Sequence, residues 1–177
     1  MQRAIRPDWL LRQAGELATK SDLGGQPRNA DLRRAVSAAY YAVFHHMIAV
    51  ATEHLLPSTG ATTERLLLSR NFQHGAMLRV CERVGGTSTL PKATGWAVSN
   101  LRNNPDLVDA TGTFADLQQA RHQADYDHLA SFTKPGVLAL IDLAKDAIRK
   151  LTNLQGSPDL ALFVTLLTLE TQTGRAS

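Results

Sequence analysis

Apolar side chains recur every three to four positions along most of the chain, the period of an amphipathic helix. The clearest example is the segment 29–56, which contains neither Gly nor Pro. Its apolar side chains fall on one side of a helix: Val36, Tyr40, Val43, Phe44, Met47 and Ala51. This pattern predicts one long helix with a broad apolar face.

The same period predicts shorter helices on both sides of this segment, separated by stretches that contain Gly or Pro. The further predicted helices cover residues 8–20, 62–84, 91–102, 114–127, 135–154 and 159–170. A disruption of the helix over 62–84 would fall at 71–75, and the Asn-, Pro- and Gly-containing stretch 103–113 is predicted to be rich in turns. We find neither a repeat of fixed period nor a low-complexity tract. The pattern therefore predicts an all-α bundle of about five to seven helices.

The chain length fits one domain over residues 1–177, with a core formed by residues 29–154. We expect the helices at 8–20 and 159–170 to pack on this core. The last helix is too apolar to stand in water alone, so it should pack on the bundle or on a partner. Its apolar part, 160–169, is too short to cross a bilayer, and no membrane partner is expected.

Composition narrows the class of protein further. Hydrophobic residues make up 44% and charged residues 20%, which is typical of a water-soluble globular protein and argues against disorder. Cys81 is the single cysteine, so no internal disulfide can form and a reducing compartment is expected. The basic N-terminal residues lack the apolar run of a secretory signal, which favours the cytoplasm. The net charge of +3 permits a polyanionic partner without requiring one.

Several common chemistries have no motif in this chain. The sequence contains no phosphate-binding Gly-rich loop, no dinucleotide-binding fingerprint, no nucleophile-elbow motif and no zinc-protease motif. His45 and His46 project about 100° apart on a helix without a nearby carboxylate, so no metal site and no cofactor are predicted. Cys81 has mostly apolar neighbours and is interpreted as a small core residue.

One polar and aromatic stripe adjoins the apolar face of the long helix. Arg34, Tyr41 and His45 lie at relative positions 0, 7 and 11, close to one line along that helix. Such a stripe could line a groove and support a substrate. The alternative is that Tyr41 and His45 are ordinary half-buried residues whose polar ends reach their neighbours.

A second group of polar residues lies near position 125. If the helix persists through His128, then Arg121, Asp125 and His128 share a face, with His122 and Tyr126 beside it. A guanidinium can bind a phosphate, and an imidazole can move the proton of a ribose 2′-hydroxyl without a metal ion. The alternative is a surface ion pair between Arg121 and Asp125, with His128 favoured by the dipole at the helix end.

Three blocks of this sequence resemble HEPN-domain proteins, in particular the small stand-alone bacterial and archaeal branch. The block 34–45 (RAVSAAYYAVFH) resembles the opening signature of that family. Phe72-Gln73-His74-Gly75 is similar to its middle segment, and Arg121-His122-Gln123-Ala124-Asp125-Tyr126 is similar to its Arg-x-x-Ala-Asp-Tyr block. The blocks occur in the family's order and span about residues 30–150.

The resemblance implies an up-and-down helical bundle, often a homodimer, and in active members a metal-independent endoribonuclease. It implies that Arg121 binds the phosphate, that His128 transfers protons and that His122 is a supporting polar residue. Asp125 would orient Arg121 or His128, and Tyr126 would stack on a base or pack in the dimer.

Our leading hypothesis is an HEPN-type ribonuclease that cleaves single-stranded RNA as a toxin or defence component. The alternative is a non-catalytic helical module that dimerises and binds a nucleotide or a partner protein, such as a nucleotidyltransferase antitoxin. A third hypothesis is that the protein is an accessory subunit of a larger RNA-handling complex.

Overall fold

The computed structural model describes residues 6–20, 25–57, 62–86 and 92–173. All regular secondary structure within these ranges is α-helical, which confirms the predicted all-α bundle. The eight described helices are α1 (Pro7–Thr19), α2 (Asn29–Leu55), α3 (Thr62–Ser69), α4 (His74–Val84), α5 (Gly95–Leu101), α6 (Pro105–Tyr126), α7 (Lys134–Asn153) and α8 (Pro158–Thr173).

The described part of the chain has eight helices rather than five to seven because the segment 62–84 is divided in two. α3 ends at Ser69 and α4 begins at His74, so the break falls where the sequence predicted a disruption. Phe72 lies within the break and is 6% exposed. Its burial fixes the connection between the two helices against the core.

The stretch 103–113 is not rich in turns, and this prediction is wrong. α6 begins at Pro105, because Asn104 Oδ1 accepts a hydrogen bond from Leu107 N at 3.1 Å and Pro105 occupies the first helical turn. The buried Thr111 hydroxyl donates back to Leu107 O at 2.8 Å. Packing of Ala110 and Phe114 in the core outweighs the weak helix preference of this stretch.

α2 lies at the centre of the bundle and contacts α1, α3, α6, α7 and α8. The apolar face predicted for it is buried throughout. By length and composition α2 could also cross a membrane, but 72% of the relevant window is buried among the other helices. Its apolar character is accounted for by its place in the core.

α1 packs on α2 and α7 through small side chains. Ala14 and Ala18 are fully buried, whereas Trp9 is 47% exposed and lies 4.9 Å beneath the guanidinium of Arg6. α8 packs on α2, α4 and α5 at the other side of the bundle. The apolar side chains of α8, among them Phe163 and Leu167, are buried by these contacts.

Candidate functional site

The guanidinium of Arg121, on α6, lies against the aromatic side chains of α2. Its Cζ atom is 5.6 Å from the ring centroid of Tyr41 and 6.0 Å from that of Tyr40. Tyr126 approaches from α6 itself, also at 5.6 Å. Nη2 donates a hydrogen bond to the Tyr41 hydroxyl at 3.3 Å. Three aromatic rings therefore stabilise the positive charge.

Asp125 positions this guanidinium from one turn further along α6. Its Oδ2 is 2.5 Å from Arg121 Nε, and its Oδ1 accepts a hydrogen bond from the Ser37 hydroxyl of α2 at 2.7 Å. The two side chains are 21% and 29% exposed, so the pair is not a fully solvated surface pair. Burial opposes the charge, yet Tyr41 and Asp125 raise the pKa of Arg121.

His74, the first residue of α4, completes the contact between three helices. Its Nδ1 is 2.6 Å from the hydroxyl of the fully buried Tyr40. Its ring stacks on Phe44 at 3.9 Å between centroids and meets the edge of Tyr41 at 5.8 Å. Burial lowers the pKa of His74, and the nearby charges of Arg121 and His45 lower it further.

His45 borders the same aromatic residues from α2. Its ring lies 5.2 Å from Phe44 and 6.1 Å from Tyr41, and burial lowers its pKa. We refer to Tyr40, Tyr41, Phe44, His45, His74 and Arg121 as the arginine–histidine cluster. It brings one permanent cation beside two imidazoles that are neutral near pH 7.

The predicted common face of Arg121, Asp125 and His128 is wrong, because α6 ends at Tyr126. Asp127 has an extended backbone, with φ −89° and ψ 108°, and its side chain accepts a hydrogen bond from Leu129 N at 2.9 Å. His128 is exposed in the turn that follows. Arg121 and Asp125 remain together, and His128 lies beyond the end of their helix.

Arg33 on α2 accounts for the end of α6. Its Nε donates to Ala124 O at 2.6 Å and its Nη2 donates to Asp127 O at 2.8 Å. Asn29 fixes the following residues, donating to Ala130 O at 3.2 Å and accepting from Phe132 N at 3.0 Å. These contacts satisfy carbonyl groups that the helix end leaves without partners.

Two other predicted site residues, Arg34 and Tyr126, lie at the rim of a shallow groove between α2 and α6. The groove is lined by Ala30, Arg33, Arg34, Ala124, Asp125 and Tyr126. Arg34 is exposed, and Tyr126 is 60% exposed with its ring 5.0 Å from that of His122. Arg34 and Tyr126 thus border the groove, while Tyr41 and His45 lie in the arginine–histidine cluster.

Three members of the cluster are not among the predicted site residues: Tyr40, Phe44 and His74. The pattern places Tyr40 on the apolar face of α2, as it does Phe44, and His74 enters only through the block Phe72-Gln73-His74-Gly75. The contact between Tyr40 and His74 joins positions 34 residues apart and depends on how α4 packs on α2. The signal available was a histidine within the break predicted at 71–75, where a polar side chain can approach the core.

Within the described ranges, no group of three or more His, Cys, Asp or Glu side chains is arranged to hold a metal ion. Cys81 is fully buried, and burial raises the pKa of its thiol, which agrees with its interpretation as a core residue. Comparisons with protein-family models, with curated proteins and with solved structures find no match to this chain.

Proposed function

We propose that this protein is a metal-independent endoribonuclease of the HEPN kind that cleaves exposed single-stranded RNA, as a toxin or defence component. The observation that carries the proposal is the Arg121 guanidinium, which Asp125 and Tyr41 orient beside a groove and near titratable imidazoles. A guanidinium whose orientation is fixed in advance can stabilise the charge that develops on a phosphate during cleavage.

Arg121 has the geometry to contact a phosphate without leaving its place. Nε and Nη2 face Asp125 and Tyr41, whereas Nη1 makes no hydrogen bond to any residue that the structure describes. A phosphate oxygen at Nη1 would add a charge-assisted hydrogen bond to those already present. The Arg34 side chain, exposed on the groove rim, would add positive charge for a neighbouring phosphate.

His128 and the residues of the rim would act on the ribose and base. An exposed imidazole in the turn after α6 can approach RNA bound in the groove and transfer a proton. Tyr126, with His122 against its ring, presents an aromatic surface on which an unpaired base can stack. As in the sequence-based hypothesis, we propose a homodimer in the cytoplasm.

The competing function is a non-catalytic helical module that dimerises and binds a nucleotide or a partner protein. One observation favours it: guanidinium nitrogens of Arg121 and Arg33 already contact groups of the chain itself, the Asp125 carboxylate and the Ala124 carbonyl oxygen. Under this hypothesis Asp125 neutralises the charge of Arg121, and the arginine–histidine cluster has the structural role of holding α2, α4 and α6 together. The two functions differ in whether Arg121 is needed for chemistry.

The test is cleavage of total RNA by the purified protein in EDTA, with analysis of the new ends. We expect 2′,3′-cyclic phosphate ends from the wild type, and a loss of about 10²–10³-fold in Arg121→Ala. His128→Ala should lose about 10²–10⁴-fold. Arg12→Ala is the matched control, because Arg12 forms an exposed ion pair on α1 at 3.7 Å. Absence of cleavage by the wild type would favour the interaction module.

A further inference from the structure

His74 occupies a position that suits proton transfer, and its surroundings define how it would act. The ring is held by stacking on Phe44 and by a 2.6 Å hydrogen bond between Nδ1 and the Tyr40 hydroxyl. Nε2 makes no hydrogen bond in the described part of the chain. Nε2 is not among the buried side-chain nitrogens and oxygens that lack a hydrogen-bond partner in the described residues. Nε2 of His74 is therefore accessible to solvent and to a substrate.

The Tyr40 hydroxyl determines which ring nitrogen of His74 carries the proton. Its one hydrogen serves either the 2.6 Å contact to His74 Nδ1 or the 3.4 Å contact to Gln118 Oε1; when it is donated to Gln118, the oxygen is left to accept a hydrogen bond. Nδ1 of His74 then carries the hydrogen that Tyr40 accepts, and neutral Nε2 keeps its lone pair. The chain Gln118–Tyr40–His74 thus orients the imidazole as a base.

His74 and Arg121 flank the same two tyrosine rings. The Tyr41 centroid is 5.8 Å from the His74 ring and 5.6 Å from Arg121 Cζ. The Tyr40 centroid is 5.7 Å from the His74 ring and 6.0 Å from Arg121 Cζ. A phosphodiester held by Arg121 would therefore bind at the arginine–histidine cluster, to which His74 also belongs. The other titratable group that faces His74 is His45, from α2.

We propose that His74 is the general base of the cleavage reaction and that Tyr40 is its positioning residue; this inference rests on the proposed ribonuclease function. Nε2 of His74 takes the proton of the ribose 2′-hydroxyl, and the 2′-oxygen forms a bond to phosphorus. The bond between phosphorus and the 5′-oxygen breaks, and that oxygen receives a proton from solvent water. The products are a 2′,3′-cyclic phosphate and a 5′-hydroxyl.

The experiment measures cleavage in EDTA by the full-length wild type and four variants. His74→Phe keeps the stacked ring without its nitrogens, and His74→Gln is a second substitution in case the first fails to fold; both should lose about 10²–10⁴-fold. His54→Ala is the matched control, because His54 is exposed near the end of α2.

Tyr40→Phe tests the positioning role. It should reduce cleavage and move the acidic limb of the pH profile to lower pH, because Tyr40 favours the imidazolium by accepting its Nδ1 hydrogen.

A long-range ¹H–¹⁵N spectrum of the wild type provides a measurement that does not depend on activity. We expect neutral His74 to carry its proton on Nδ1, and a proton on Nε2 would overturn the inference. Cleavage at the wild-type rate by a folded His74 variant would overturn the role of His74 and leave the ribonuclease standing. No cleavage by the wild type would instead overturn the ribonuclease function and the role of His74 together.

Discussion

Two arginines on facing helices use their guanidinium groups in different ways. Arg33 binds three backbone carbonyl groups at the end of α6, those of Ala124, Asp127 and Ala130, at 2.6–3.5 Å. Arg121 binds one carboxylate and one hydroxyl and lies against aromatic rings. The contacts of Arg33 are to groups that the fold must satisfy, whereas those of Arg121 orient a charge. We therefore expect Arg33 to stabilise the fold, whereas the orientation of Arg121 suits the chemistry proposed for it.

Arg33→Ala tests the structural half of this assignment. Loss of the hydrogen bonds to Ala124 O and Asp127 O should lower the free energy of unfolding by about 1–2 kcal/mol, because both are hydrogen bonds from a charged donor. Urea denaturation measures this change. Hydrogen exchange should rise at the backbone amides of residues 127–132, which Arg33 and Asn29 fix.

Arg34→Ala is the control at the adjacent position. Arg34 is exposed on the rim of the groove, so its removal should change stability by no more than about 0.5 kcal/mol. Equal losses in the two variants would show that Arg33 acts through its charge alone and does not stabilise the end of α6.

At the scale of the helices, periodicity was sufficient to predict the elements but not all of their ends. The apolar face of α2 is buried as predicted, because a period of 3.6 residues needs no knowledge of the neighbours. The end of α6 depends on Arg33, which lies 91 positions before Ala124. The pairing of Arg121 with Asp125 was predictable from their spacing of four residues. The approach of His74 to the tyrosine rings that contact Arg121 was not, because it requires α2, α4 and α6 to be packed together.

Glu170 joins α8 to α4, and Glu170→Gln tests how strongly. Its carboxylate accepts hydrogen bonds from Arg79 Nε at 2.7 Å and Arg83 Nη1 at 2.6 Å, and its side chain is 16% exposed. Loss of the charge should lower the free energy of unfolding by about 1–3 kcal/mol, because the arginines keep a poorer partner in a partly buried site. Urea denaturation again provides the measurement.

Asp142→Asn removes a carboxylate from an exposed pair and serves as the comparison. Asp142 and Lys145 are 73% and 57% exposed, so this variant should lose no more than about 0.5 kcal/mol. If Glu170→Gln lost as little as Asp142→Asn, α8 would be held by apolar burial alone.

At the scale of the whole molecule, three half-buried histidines couple folding to pH. Burial lowers the pKa of His45, His46 and His74 from the ordinary value of 6.5. The unfolded chain therefore binds protons at a higher pH than the folded chain does. The stability associated with the neutral imidazoles is fully present above pH 6.5 and is lost as the pH falls below that value.

We expect the urea midpoint to be lower at about pH 5.5 than at about pH 7.5, with a similar dependence on urea concentration at both values. The carboxylates act in a separate range. Burial opposes the charge of Glu170, yet Arg83 and Arg79 lower its pKa below the ordinary 4.5, so its contribution is lost only in stronger acid. The decrease between the two chosen values therefore reports on the histidines.

Substituting Gln for His45, His46 and His74 together should remove most of this decrease in the urea midpoint, whereas His54→Ala should retain it. A midpoint that rose on acidification would show that the three imidazoles bind protons more readily in the folded protein.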